Sequence, residues 1–181
     1  RNAVPLAEMG WSVIGTDLST PMLEAAAARA RAQGVAACVQ WHSAPMEALP
    51  LSDASADLVI AHGIWNLAHS SAQFRQAVRE GARVAKPGAA LFVFTFSRQT
   101  MSDSVAPVSG EPFVFTQFSG QPQCFLTEAQ LVDEMRDAGF GREPAVPLRD
   151  RLCRQPALRD PQRQLHQEVP VPLPRQVELR R

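Results

Sequence analysis

The sequence is poor in lysine: Lys86 stands alone, and arginine supplies the rest of the basic residues. Acidic and basic residues balance, 18 against 18. No overall charge therefore favours nucleic acid or a membrane surface as partner. Cysteine is scarce too. Cys38, Cys124 and Cys153 are odd in number, far apart and without a C-x-x-C pair, which excludes a disulfide framework. They read as reduced thiols of a cytoplasmic protein. No apolar run approaches membrane-spanning length, and no signal peptide is expected. His62 and His69 lack a third ligand nearby, so no metal site is expected. No nucleophilic triad and no internal repeat is visible.

What is present is organised around residues 10–23. Ser12 to Thr16 is a short run with β-branched Val13, Ile14 and Thr16, which predicts a buried strand. Asp17 follows where that strand ends. Ser19 or Thr20 can cap a helix that has Pro21 at its first position. An acid at the tip of a parallel strand, just before a helix, is where Rossmann-like folds hold ribose hydroxyls. A carboxylate suits the task because it accepts two hydrogen bonds and donates none. The competing reading makes Asp17 a helix-start residue only.

Before this stretch, Asn2 to Met9 reads as the latter part of a helix that stops at Gly10. After it, the helix from Pro21 runs to about Gln33 and ends at Gly34. Ala37 to Trp41 is a second strand, and Ser43 to Asp57 a loop with Pro45, Pro50 and Asp53. Leu58 to Ala61 has the continuous apolar character of a central parallel strand. Phe74, Ala77, Val78, Gly81, Val84 and Ala85 share one helix face, with Arg75, Arg79 and Arg83 on the other side. Lys86-Pro87-Gly88 is expected to stop that helix, and Ala89 to Phe96 to form a strong strand. Ser97 to Phe125 is a long connection in which Phe113 to Phe118 forms an extra strand or part of a lid. Thr127-Glu128-Ala129-Gln130 is a capping box, stapled by Leu126 and Leu131, and its helix ends near Gly139. Glu143 to Leu148 is one more strand candidate. From about Arg151 arginine and proline dominate and no period survives, which predicts a disordered tail.

Alternating strands and helices argue for a parallel α/β sheet. Four segments go further: Gly15-Thr16-Asp17-Leu18-Ser19 with Met22-Leu23, then Glu47-Ala48-Leu49-Pro50-Leu51, then Asp57-Leu58-Val59-Ile60-Ala61, then Arg83-Val84-Ala85-Lys86-Pro87-Gly88. In this order and spacing the chain resembles the class I S-adenosylmethionine-dependent methyltransferases. Ala138-Gly139-Phe140 resembles the end of that family's late helix. The resemblance covers roughly residues 1–148, a partial methyltransferase domain; residues 149–181 form the Arg/Pro-rich tail. It implies a Rossmann-like parallel sheet with flanking helices, S-adenosylmethionine as cofactor and a small-molecule methyl acceptor. Asp17 would bind the ribose hydroxyls, and Leu18 and Met22 would pack on the adenine or ribose. Met46 and Glu47 would serve adenine recognition, and His62 would lie near the methionine end of the cofactor and the acceptor. His62 could be a general base or make a structural hydrogen bond. Trp65 and Asn66 are candidates for the acceptor pocket, Trp65 equally for a buried anchor.

Two departures from the family pattern matter. The family's first strand and glycine-rich turn are absent, so the strands at Ser12–Thr16 and Asp57–Ala61 must expose edges or pair with each other. Many relatives also carry an acid where this chain has Pro45. The chain is therefore expected to bind the cofactor weakly, as a truncated enzyme. Two alternatives stand beside it. One is a non-catalytic remnant that self-associates or binds a protein through open sheet edges. The other is a nicotinamide-dependent oxidoreductase, which would need a Gly-x-Gly-x-x-Gly turn that is not there.

Overall fold

The computed structural model describes residues 1–117, 119–142 and 177–180. Helix α1 (Ala3–Glu8) is followed by β1 (Val13–Asp17), α2 (Thr20–Ala32) and β2 (Val39–Ser43). The chain goes on through β3 (Ala56–His62), α3 (Ser71–Val84) and β4 (Ala85–Phe94). A short hairpin, β5 (Val114–Phe115) and β6 (Gln123–Cys124), precedes α4 (Glu128–Asp137) and β7 (Gly141–Arg142); β8 is Val177–Arg180.

Two parallel pairs form the framework: β1 with β2, and β3 with β4. Strand β8 adds antiparallel to β4, and β7 to β8. Strand β8 falls in the segment whose composition argued for disorder, within Val177-Glu178-Leu179-Arg180; the strand candidate Glu143 to Leu148 and Cys153 lie outside the described residues.

The helix starts are where side chains can cap them. Ser19 accepts from the Met22 N–H and Ser70 from the Gln73 N–H. Thr127 and Gln130 complete both halves of the capping box. Leu126 and Leu131 beside it are both buried, as a hydrophobic staple requires.

Two boundaries differ from the sequence expectation. The second strand begins at Val39 rather than Ala37, because Ala36–Cys38 forms a 3-10 turn after Gly34 ends α2 at φ +73°. Small alanines tolerate that turn, and β-branched Val39 is the first residue suited to a pleated surface. Helix α3 ends at Val84, ahead of Lys86-Pro87-Gly88. Ala85 is already extended and paired with Ala56, and the register jumps from Ala56↔Ala85 to Leu58↔Ala90. Lys86 to Ala89 thus bulges from the start of β4, and Lys86 Nζ reaches back 2.8 Å to Asp57.

The core lies on the β3–β4 side. Phe74, Ala77, Val78, Ala82 and Ala85 of α3 and its junction pack with Leu91 and Val93 of β4. The β5–β6 hairpin brings Val114, Phe115 and Cys124 onto the same cluster, and α4 brings Leu131 and Met135. The stretch Phe113 to Phe115 is therefore a buried part of the core. Trp65 is a buried anchor: its ring meets Phe74 edge-on at 6.3 Å.

The β1–β2 pair is far less covered. Ile14 is exposed, and α2 buries only Ala30 fully. Of the two outcomes open to β1 and β3, exposed edges or mutual pairing, the structure takes the first: they are not bonded to each other. A cavity of about 550 Å³ separates them, lined by Ser12 to Thr16 on one side and Ala56 to Ile60 on the other.

Candidate functional site

The candidate residues gather at the carboxyl ends of the strands, where ligands sit in α/β sheets. Asp17 ends β1 opposite Ser43, and its backbone carbonyl accepts the Ala44 N–H at 3.3 Å. That bond places the loop leaving β2 directly beside Asp17. Asp17 Oδ1 accepts the Ser19 N–H at 2.8 Å, so the carboxylate does shape the entry to α2. Its second oxygen takes no hydrogen bond from the described residues. Both readings of Asp17 are thus physically compatible: one oxygen turns the chain, and the other has no hydrogen bond from the described residues.

Leu18 and Met22 flank this carboxylate, 69% and 61% exposed. Large apolar side chains exposed beside a half-free carboxylate suit a ligand with an apolar ring and a hydroxyl pair. The adenosine end of S-adenosylmethionine has that character, so these residues fit it.

Met46 and Glu47 lie on the loop that leaves β2. Met46 packs against the main core, and Glu47 Oε1 accepts from Gln73 Nε2 of α3 at 3.0 Å. This loop is fastened further along. Buried Glu80 accepts the Leu49 N–H at 2.8 Å and pairs with Arg83 at 2.6 Å. Arg83 also donates to the carbonyls of Leu49 and Leu51 and to Asp53. Arg83 is therefore not a solvent-facing decoration of α3. Arg75 likewise grips Glu134 of α4 and lies over the Phe113 ring at 5.6 Å. The sequence held no signal for these partners, because each pair is 30 or more residues apart in the chain, except the i,i+3 pair of Glu80 and Arg83.

The Arg83 guanidinium holds the Glu80 carboxyl below the usual carboxylate range, with the Leu49 N–H adding to the effect. A depressed folded-state value means this stabilisation is complete above the ordinary carboxylate pKa near 4.5 and fades as pH falls through and below it. Glu80→Gln is expected to lower stability at pH 7 by roughly 1–2 kcal/mol. Urea midpoints should show that gap shrinking between pH 5 and 3; a gap independent of pH would refute the assignment.

His62 ends β3. Its ring packs on Phe94 at 4.6 Å between centroids. Asn2 Nδ2 lies 3.1 Å from Nδ1, and the Arg1 guanidinium 3.5 Å from Nε2. Burial lowers its pKa first, and the positive charge of Arg1 lowers it further. The ring is therefore neutral at pH 7, with Nδ1 as the acceptor for Asn2. The structure accordingly shows the structural hydrogen bond. Asn2, unnoticed in the sequence, is what fixes this ring.

Of the remaining candidates, Asn66 is buried just beyond β3 with Oδ1 unpartnered. Gln73 anchors the His69 N–H, and Ser97 caps the turn at Gln99. Among the described residues no group of three or more His, Cys, Asp or Glu could hold a metal ion, and no helix is long and apolar enough to cross a membrane.

Comparison with known proteins identifies the family of the fold. Residues 1–93 match the methyltransferase domain family. The chain is 40% identical over 83 residues to a ubiquinone/menaquinone biosynthesis C-methyltransferase of Ruegeria sp., covering 45% of this chain and 32% of that protein. It is 31% identical over 147 residues to the human mitochondrial 2-methoxy-6-polyprenyl-1,4-benzoquinol methylase, covering 72% of this chain and 44% of that one. The chain thus spans less than half the length of these curated relatives. Among solved structures, a SAM-dependent methyltransferase from Methanosarcina mazei superposes with a TM-score of 0.65 at 21% identity, over 78% of this chain and 74% of that one. Because the domain match takes in half of the chain, the chain belongs to the class I S-adenosylmethionine-dependent methyltransferases, whose cofactor is S-adenosylmethionine.

Proposed function

We propose that this fold serves methyl transfer from S-adenosylmethionine to a small aromatic acceptor of quinol type, in the cytoplasm. The observation that carries the proposal is the grouping of half-free Asp17 with exposed Leu18 and Met22 at the carboxyl edge. The acceptor class is supported by the rings beyond β3 and β4, where His62, Phe94 and Phe96 form a continuous aromatic wall. The curated relatives' quinone-related names point the same way.

When bound, S-adenosylmethionine supplies an activated methyl group on a sulfonium. Asp17 would hold the ribose hydroxyls through Oδ2 while Oδ1 stays on the Ser19 N–H. Leu18 and Met22 would pack on the adenine or ribose. Met46 and Glu47 would serve adenine recognition, on a loop that the Glu47–Gln73 hydrogen bond holds against α3. His62 is a positioning residue, its neutral ring fixed by Asn2 and stacked on Phe94. The protein's share of catalysis in such an in-line displacement is alignment, worth up to ~7–11 kcal/mol in favourable cases.

The cleft between β1 and β3 leaves the Asp17 half of the site weakly joined to the His62 half. This 181-residue chain is therefore proposed to hold the cofactor weakly. Ligand-observed NMR, which detects millimolar binding, tests this with S-adenosylmethionine and with NADH. Saturation transfer to the adenosine protons of S-adenosylmethionine, with an affinity weaker than micromolar, is the expected result. Transfer to NADH alone would overturn the methyl-transfer reading in favour of the oxidoreductase, and micromolar affinity would overturn the weakness.

A further inference from the structure

Helix α3 opens with Ser70-Ser71-Ala72-Gln73, the spacing of a capping box. Ser70 Oγ accepts the Gln73 N–H at 3.1 Å, which is the first half of that motif. The second half is displaced. At the start of α4, Gln130 Oε1 accepts the N–H of the capping residue Thr127 itself. Gln73 Oε1 reaches one residue further back and accepts the His69 N–H at 2.8 Å. The same side-chain amide donates through Nε2 to Glu47 Oε1 at 3.0 Å, across 26 residues of sequence. A helix cap has no use for this last bond.

The two ends of this bridge belong to different halves of the site. Glu47 stands on the loop leaving β2, and its Oε2 takes no hydrogen bond from the described residues. His69 lies in the turn that follows His62 at the end of β3. That turn also carries Asn66, 2% exposed and with Oδ1 unpartnered. A buried oxygen without a donor is rare in a native fold and suits a ligand hydroxyl.

We propose, resting on the methyl-transfer reading, that Gln73 is a positioning residue: one amide fixes the cofactor-side loop and the acceptor-side turn relative to each other. A side-chain amide suits both ends. Its oxygen accepts from a backbone N–H, and its NH2 group donates to a carboxylate. Glutamate serves a helix start equally well and favours the helix dipole, but it sets a carboxylate against Glu47. Glutamine is thus explained by the tie rather than by the cap. In-line transfer depends on alignment, and misplacing either reactant by about 1 Å can cost about a hundredfold in rate.

The test follows the His69 amide signal in proton–nitrogen correlation spectra of the full chain, first without ligand. Glu47→Ala removes the acceptor of Gln73 Nε2 and is expected to move the His69 signal. Glu47→Gln keeps an acceptor oxygen and should leave it near the parent position. In a Gln73→Met background, which has neither bond, Glu47→Ala should move the signal at least about threefold less. S-adenosylhomocysteine is then added. In the parent it should shift the Glu47 and His69 amides together. In Gln73→Glu, which still caps α3 and accepts the His69 N–H, the Glu47 shift should persist and the His69 shift fall at least about threefold. A His69 signal indifferent to Glu47→Ala, an equal response in Gln73→Met, or an undiminished ligand shift in Gln73→Glu would each overturn the tie and leave Gln73 a helix cap, with the methyl-transfer reading standing. If the ligand-free cycle shows the tie and S-adenosylhomocysteine moves no signal, the tie holds and the methyl-transfer reading fails.

Discussion

Asp17→Ala is expected to weaken S-adenosylmethionine binding by tenfold to a hundredfold and, separately, to destabilise the start of α2. The affinity loss follows from a charged acceptor facing ribose hydroxyls, where each such bond contributes ~1.5–3 kcal/mol. The stability loss follows from Oδ1, which accepts the Ser19 N–H at 2.8 Å. Asp17→Asn separates the two. The amide oxygen can still accept from Ser19, so the unfolding midpoint should stay near that of the parent, while the lost charge still costs affinity. Ligand-observed NMR titrations and urea melts on both variants decide the matter. If Asp17→Asn binds as the parent does while Asp17→Ala only unfolds more easily, Asp17 is a helix-start residue and the ribose assignment fails.

Phe74→Ala carries the largest expected effect on stability, a loss of about 3–5 kcal/mol. Phe74 is fully buried on α3, meets Trp65 edge-on and touches the Phe113 ring at 5.4 Å. Its removal opens a cavity at the point where α3, the turn after β3 and the approach to the β5–β6 hairpin converge. A domain of this size has about 5–15 kcal/mol in total, so the variant should be near the limit of folding. Phe74→Leu refills most of the volume and should cost about 1–2 kcal/mol. Denaturant midpoints for the pair provide the check. A loss below 1 kcal/mol for the alanine variant would mean that this convergence is not the centre of the core.

The two residues illustrate different kinds of information. The helical spacing of Phe74, Ala77, Val78, Gly81 and Val84 is a local pattern, and the face it defines is the buried one. Asp17 was legible for a similar reason: a β-branched run, an acid and a capped helix follow each other within a few residues. The orientation of Glu47 toward Gln73, the grip of Arg83 on the loop and the contact of Asn2 with His62 were not legible. Each depends on segments that only the folded chain brings together. The exit of α3 shows the same limit on a small scale. The sequence offered Lys86-Pro87-Gly88 as the stop, whereas pairing of Ala85 with Ala56 across the sheet ends the helix earlier.

Taken alone, the order of residues determined the class of the sheet, the parallel direction of β1 to β4 and the carboxylate at the tip of β1, because these rest on side-chain periodicity, capping and turn chemistry within one segment. The tertiary structure alone decided that β1 and β3 stay apart around an open cleft, that Glu80 and Arg83 pin the loop between the halves, and that the buried core lies almost wholly on the β3–β4 side. Edge pairing and long-range ion pairs depend on distance in space, which no local pattern of side chains encodes.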